Sequence, residues 1–315
     1  MGKIILRSFD MKVYVIVVTY NPKKWIEKCF NSLKHSSCLV KIIVVDNNST
    51  DGSQEQIKKG YPEVELIQAN KNLGFGRANN VGIKKAYEDG ADYVFLLNQD
   101  AWVESDTISA LIEAQKKEPK YGVISPIHLN ERGDTLDYNF SYYINPSRCR
   151  RLYSDFILNA VKDELYEVEF VNAAAWLLSR ECIERIGGFN PSFFHYGEDD
   201  NYCQRLRYHK LKVGILAKTT ICHDREANKN NMYFKDELLL YKRKIILKIS
   251  NPFYNYIFKT EYIKIYKTTI KSIFFLRIKE VQKNFSKIKI LNKLNKTGIL
   301  QNREQSKLEK QSFLN

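Results

Sequence analysis

Apolar positions in the first hundred residues alternate between two rhythms. Val13 to Val18 is a nearly continuous β-branched run, the mark of a strand buried on both faces, and Lys41 to Val45 and Tyr93 to Leu97 repeat it. Glu63 to Gln68 predicts a further strand. Between these runs the spacing becomes helical. Trp25, Cys29 and Leu33 recur at helical intervals after Pro22, Gln54 to Lys59 reads as a short helix, and Gly76 to Glu88 as a long one. Strand and helix alternating in this way predict a mostly parallel sheet with helices on both faces. From Ser125 to Glu169 the pattern weakens, and antiparallel strands with a loop over the site are expected. Val168 to Leu178 is apolar again, a helix is predicted around Arg180 to Ile186, and Gly187-Gly188-Phe189 breaks it.

Beyond Leu238 the pattern changes kind. Ile245, Ile246, Ile249, Phe253, Ile270, Ile273 and Phe274 mix with Lys242, Lys244, Lys248, Lys267, Lys271 and Arg277, as in basic amphipathic helices. The charge follows the same division: Tyr241 to Asn315 holds 18 Lys and Arg against four acids, which accounts for the whole net charge of +14. Such a tail suits an anionic membrane surface; packing on the preceding domain or pairing with a second copy (a homodimer) are the alternatives. A nucleic-acid partner would need only this charge and leaves the strand-end acids below unexplained, so none is expected. No apolar run approaches the roughly 20 residues of a membrane span. Six cysteines without a CxxC pair and no apolar leader predict a reduced, cytoplasmic protein, peripheral at the inner face of the membrane.

In parallel α/β sheets ligands bind beyond the carboxyl ends of the strands. Three predicted strands end in polar clusters there: Thr19-Tyr20-Asn21, Asp46-Asn47-Asn48 and Asn98-Gln99-Asp100. Each alone reads as an Asx turn or helix cap; together they point to a nucleotide site. A fourth cluster, Glu198-Asp199-Asp200, places three carboxylates before a predicted helix from Tyr202 to Tyr208. Their repulsion needs a cation, a substrate or a helix N-terminus to offset it, and raises the pKa of one member.

These segments resemble family 2 glycosyltransferases with the GT-A fold, and within them the bacterial rhamnosyltransferase-like branch. The resemblance is carried by Val17 to Asn21, Val44 to Gly52, Asn72 to Gly82, Leu96 to Asp100, Gly187 to Asn190 and Phe193 to Asp200, in this order. It implies an α/β GT-A catalytic domain over residues 1–235, with a nucleotide-binding half at 10–100 and an acceptor half at 101–235, followed by a basic helical tail at 236–315. It further implies an inverting transfer of a sugar, rhamnose first, from a dTDP- or UDP-linked donor to a glycan or lipid-linked oligosaccharide of a bacterial surface polysaccharide. UDP-hexose, UDP-galactofuranose and UDP-N-acetylhexosamine transferases of the same fold remain alternatives, as does a nucleotide-binding protein without transferase activity.

By the same resemblance Asp199 is the general base, with Glu198 beside it. Asp46 accepts from the pyrimidine ring, Thr19, Tyr20, Asn21, Asn48, Asn98 and Gln99 surround the nucleotide, and Arg77 touches the base or the diphosphate. Asp100 and His223 are the expected ligands of Mg²⁺ or Mn²⁺, which favour oxygen donors and neutralise the leaving diphosphate. Where the family often has Asp-x-Asp, this chain has Asn98-Gln99-Asp100, leaving one negative charge for the cation. Capping the helix that contains Ile108 and Leu111 is the structural alternative for Asp100; for His223, in Ile221-Cys222-His223-Asp224, it is a packing role.

Overall fold

A computed structural model describes residues 11–162, 164–225 and 236–314. The domain limits expected at residues 10 and 235 lie outside the described residues. Strands β1 (Val13–Thr19), β2 (Val40–Asp46), β3 (Glu65–Gln68) and β4 (Tyr93–Asn98) form a parallel half-sheet in spatial order β3-β2-β1-β4. Helices α1 (Ile26–Lys34), α2 (Ser53–Gly60) and α3 (Phe75–Glu88) connect them. Side-chain alternation explains why β1 is apolar from Val13 to Val18. Val13, Val15 and Val17 pack with Ile26, Phe30 and Leu33 of α1 on one face, whereas Tyr14 and Ile16 pack with Ala78, Ile83 and Ala86 of α3 on the other. Gly82 lets α3 approach that closely, since a Cβ there would lie 2.4 Å from Ile16 Cγ2.

The second half of the sheet is mixed. It comprises β5 (Ala101–Val103), β6 (Tyr121–Leu129), β7 (Leu165–Val168), β8 (Ala175–Ser179) and β9 (Lys212–His223). From β4 the order continues β8-β6-β9-β5, with β7 also on β9. Strand β8 runs antiparallel to both β4 and β6, while β9 is parallel to β6 and antiparallel to β5 and β7. The parallel arrangement expected from the sequence therefore describes β1–β4 and the β6–β9 pair, and antiparallel pairs make up the rest of the sheet.

Helix α4 (Thr107–Lys117) covers this half on the α1 side, and α7 (Arg180–Ile186) and α8 (Glu198–Tyr208) cover the other. The weakly patterned stretch expected as strands and loop contains two short helices, α5 (Tyr138–Tyr143) and α6 (Arg150–Ile157), before β7. Helix α5 is held by its cap and one anchor: Asp137 Oδ1 accepts from the Phe140 amide at 2.8 Å, and Phe140 is fully buried.

The tail folds back on the sheet and helices that precede it. It contains α9 (Glu237–Ser250), α10 (Phe258–Phe274), α11 (Ile278–Lys293) and α12 (Lys296–Ser306). Ile245, Ile246 and Ile249 of α9 share a small core with Phe258, Ile265, Leu291 and Ile299, which Phe193, from the loop before α8, joins. The end of the chain returns further still: Leu314 joins the main core, and the Gly188 amide donates to the Ser312 carbonyl at 2.8 Å. This contact gives Gly187-Gly188 a second purpose besides ending α7. A Cβ on Gly187 would lie 2.0 Å from the Ser312 carbonyl oxygen. Among the described residues no helix is long and apolar enough to cross a membrane.

Candidate active site

The register of the parallel half-sheet brings the three strand-end clusters together. Thr19 lies opposite Asp46 and Val18 opposite Asn98, so β1 sits between the other two polar ends. Gln99 ties β1 to the residues after β4: its Oε1 accepts from the Tyr20 amide at 2.7 Å and its Nε2 donates to the Tyr20 carbonyl at 3.2 Å. Asn21 and Asn48 adopt positive φ (50° and 65°), which asparagine tolerates better than most residues. Asn21 Oδ1 then accepts from the Thr50 amide at 2.8 Å.

A cavity of about 730 Å³ opens beside these ends. Tyr20, Asn98, Gln99, Asp100, Glu198, Asp199 and His223 line it, whereas Thr19, Asn21, Asp46, Asn48 and Arg77 lie outside its lining. Asp46 is fully buried and already accepts four bonds: from Thr19 Oγ1, from the Ser49 amide and hydroxyl, and from Gln54 Nε2. Arg77 donates to the Pro191 carbonyl at 2.7 Å, joining α3 to the loop before α8. The glycines near Arg77 serve that joint as well, since a Cβ on Gly74 (φ +82°) would lie 2.0 Å from the Phe194 carbonyl oxygen.

Asp100 and His223 meet on one wall. Ala101 pairs with His223 across β5 and β9, which places His223 Nε2 3.2 Å from Asp100 Oδ1. Asp106, not Asp100, occupies the N-cap of α4, so the capping alternative for Asp100 does not hold. Asn98 Oδ1 is buried without a hydrogen-bond partner, and its amide nitrogen lies 3.5 Å from His223 Nε2. A carboxylate oxygen and an imidazole nitrogen 3.2 Å apart are donors that suit Mg²⁺ or Mn²⁺. Behind His223, its Nδ1 accepts from Arg225 Nε at 3.2 Å, and Arg225 Nε also pairs with Asp137 at 2.9 Å. Among the described residues no cluster of three His, Cys, Asp or Glu side chains suited to a metal exists, so the cradle needs the Asn98 amide or substrate oxygens.

The acids stand on another wall. Gly197 (φ +97°) turns the chain into α8, whose first turn holds Glu198, Asp199 and Asp200. Helix N-termini stabilise negative charge, but burial opposes it. Burial and then the Asp199 charge raise Glu198 to about 8, and the same two causes raise Asp200 to about 7. Glu198 Oε2 is buried without a partner. Burial raises Asp199 as well, opposed by backbone amides, among them Asp200 N–H at 2.9 Å. With its carboxyl raised to about 8, Glu198 holds its proton at neutral pH, while the backbone amides at the start of α8 favour the charged form of Asp199.

Sequence reasoning missed the far wall. Leu240, Arg243, Lys244 and Leu247 of α9 line the cavity, and the Arg243 guanidinium lies over the Tyr196 ring at 5.3 Å. Burial and then Arg243 lower His195 to about 4. No local signal distinguished Arg243 from the other tail cations; only the packing of Ile245, Ile246 and Ile249 turns it inward.

A two-part α/β sheet with a nucleotide-sized cavity at the β1, β2 and β4 ends, acids on the facing helix and paired Asp and His donors defines a glycosyltransferase of the GT-A fold. A family model described as glycosyl transferase family 2 matches residues 14–187, and one described as N-terminal domain of galactosyltransferase matches 166–229. The chain belongs to glycosyl transferase family 2. It is 23% identical over 249 residues to a low-salt glycan biosynthesis hexosyltransferase of Haloferax volcanii, covering 79% of this chain and 78% of that protein. It is 26% identical over 216 residues to an N-acetylglucosaminyl-diphospho-decaprenol L-rhamnosyltransferase of Mycobacterium tuberculosis, covering 61% and 69%. The fold is also similar to GalNAc-T7 solved with UDP, GalNAc and Mn²⁺, with a TM-score of 0.53 and 16% identity over 68% of this chain and 44% of that one.

Proposed function

We propose that this enzyme transfers a sugar, rhamnose before other hexoses, from a nucleotide diphosphate to a glycan or lipid-linked acceptor, inverting the anomeric carbon in a single displacement. The acceptor places the enzyme at the inner membrane face during bacterial surface-polysaccharide synthesis. The main support is that Asp100 with His223, and Asp199 on α8, line one cavity at the carboxyl ends of β1 and β4. Tyr20, Asn98 and Gln99 border the nucleotide end. Asp46, Thr19, Asn21 and Asn48 hold the turns that form it, and Arg77 holds the adjoining loop.

Asp100 and His223, with the Asn98 amide beside them, would hold a divalent cation, whose charge would offset that building on the leaving diphosphate. Asp199 takes the proton from the acceptor hydroxyl as its oxygen attacks the anomeric carbon and the bond to the diphosphate breaks. Protonated Glu198 spares Asp199 a second adjacent charge. Arg243 and Lys244 supply positive charge on the opposite wall. Rhamnose is favoured by the relatives' branch, and a nucleotide-release screen with dTDP-rhamnose and UDP-sugars, with Mn²⁺ or EDTA, tests both donor and cation. Release from dTDP-rhamnose that needs Mn²⁺ and is lost in Asp100→Ala is expected; metal-independent release at an unchanged rate in that variant overturns the cation assignment.

A further inference from the structure

Helix α10 is amphipathic the wrong way round for a helix in water. Its buried face carries Glu261, Thr269 and Ser272 beside Phe258 and Ile265, while Ile263, Tyr266, Ile270, Ile273 and Phe274 are exposed. The turn into α11 continues this face: Phe274 is 80% and Leu276 85% exposed, followed by exposed Ile278. Leu276 also holds a positive φ of 52°, a conformation costly for leucine. Chance exposure of single apolar residues is ordinary, but a contiguous apolar ridge on a helical hairpin marks an interface.

Charge decides what covers it. From Lys264 to Lys283 there are six Lys and Arg and one acid, Glu280, and Lys267, Lys271, Arg277 and Lys279 are exposed around the ridge. A second copy on the same face would set these cations against their own symmetry mates. An anionic bilayer pairs with them, while the apolar tip leaves water.

We propose that the α10–α11 hairpin tip, from Tyr266 to Ile278, is a wedge that seats in the headgroup layer of an anionic membrane. This deepens the reading above, in which the acceptor is lipid-linked, and it confines docking to one hairpin. Helix α9 and the last residues of the chain are committed instead to the cavity wall and to the catalytic core.

Flotation of the full chain with phosphatidylcholine vesicles, with and without phosphatidylglycerol, tests it. The unaltered chain is expected to float with the anionic vesicles. The Phe274→Ser/Leu276→Ser double variant, altered only at exposed positions, is expected to lose at least about tenfold in partitioning. Lys267→Glu/Lys271→Glu is expected to lose the preference for anionic lipid. Nucleotide release from donor in solution stays unchanged in both, so failure of the wedge is separable from failure of the catalytic reading. An unaltered chain that does not float overturns the proposal, as does a double variant that floats equally well. A dimer abolished by the double variant would assign the ridge to a second copy.

Discussion

Residues 13–100 and the helix from Glu237 to Ser250 line one cavity from different sides, and different physics sets each wall. On the sheet side, position follows from local pattern: a buried strand ends, the next residue is polar, and strand pairing places Asn98 beside Val18. On the tail side nothing local marks a wall. Arg243 and Lys244 reach the cavity because Ile245, Ile246 and Ile249 are buried behind them. A residue at a strand end is placed by its neighbours in sequence, and one on α9 by a core whose members run from Phe193 to Ile299. The two walls should therefore fail differently when altered.

The largest effect is expected on the acid wall. Removing a general base costs about 10²–10⁴-fold in turnover, and Asp199→Asn keeps the shape of the first turn of α8. Turnover, followed by nucleotide release with acceptor present, should fall by that factor while donor affinity changes little. Transfer at the unaltered rate would remove Asp199 from the chemistry and shift attention to Asp200, whose raised pKa of about 7 also suits a base.

Much of this was legible beforehand because its signals are short-range. The limits of β1, α3 and α7 follow from apolar periodicity, and the polar residues closing β1, β2 and β4 were visible as turn chemistry. Pairing of Asp100 with His223, more than a hundred residues apart, was reachable only by resemblance, since it depends on β9 closing against the three-residue β5. Helix α5 went unseen because six residues are too few for a 3.6-residue period to register. Gly187-Gly188 read as a helix stop, and nothing in the sequence showed that Ser312 packs there. The tail's helices were foreseen, but not which of their cations turn inward.

That gap makes the second prediction the sharper test of the comparison. If the tail serves docking alone, Arg243→Ala leaves catalysis in solution untouched. If α9 is a wall of the site, loss of a charged partner for the diphosphate or acceptor lowers kcat/KM by about 10–100-fold. Nucleotide release with a soluble acceptor measures this, and the Tm reports whether the wall still folds. A 1–240 truncation does not separate the alternatives, because it removes the partners of Phe193 and takes Leu314 from the main core.

The smallest effect concerns pH and confines the comparison to stability. Glu198 ordinarily titrates near 4.5 but holds its proton to about 8 in the folded chain, because burial and then Asp199 penalise its charge. In the unfolded chain the proton leaves near the ordinary value. The folded state thus binds more protons between these limits, so Glu198 favours folding fully below about 4.5 and that contribution is lost as pH rises toward 8. Asp200 adds to the same trend up to about 7. Calorimetry of the unliganded chain should show the Tm declining from mildly acidic to mildly alkaline pH, with Glu198→Gln flattening the decline. An identical slope in that variant would mean that Glu198 already carries its charge at neutral pH, beside Asp199. Asp199 would then lose the neutral neighbour that spares it a second adjacent charge.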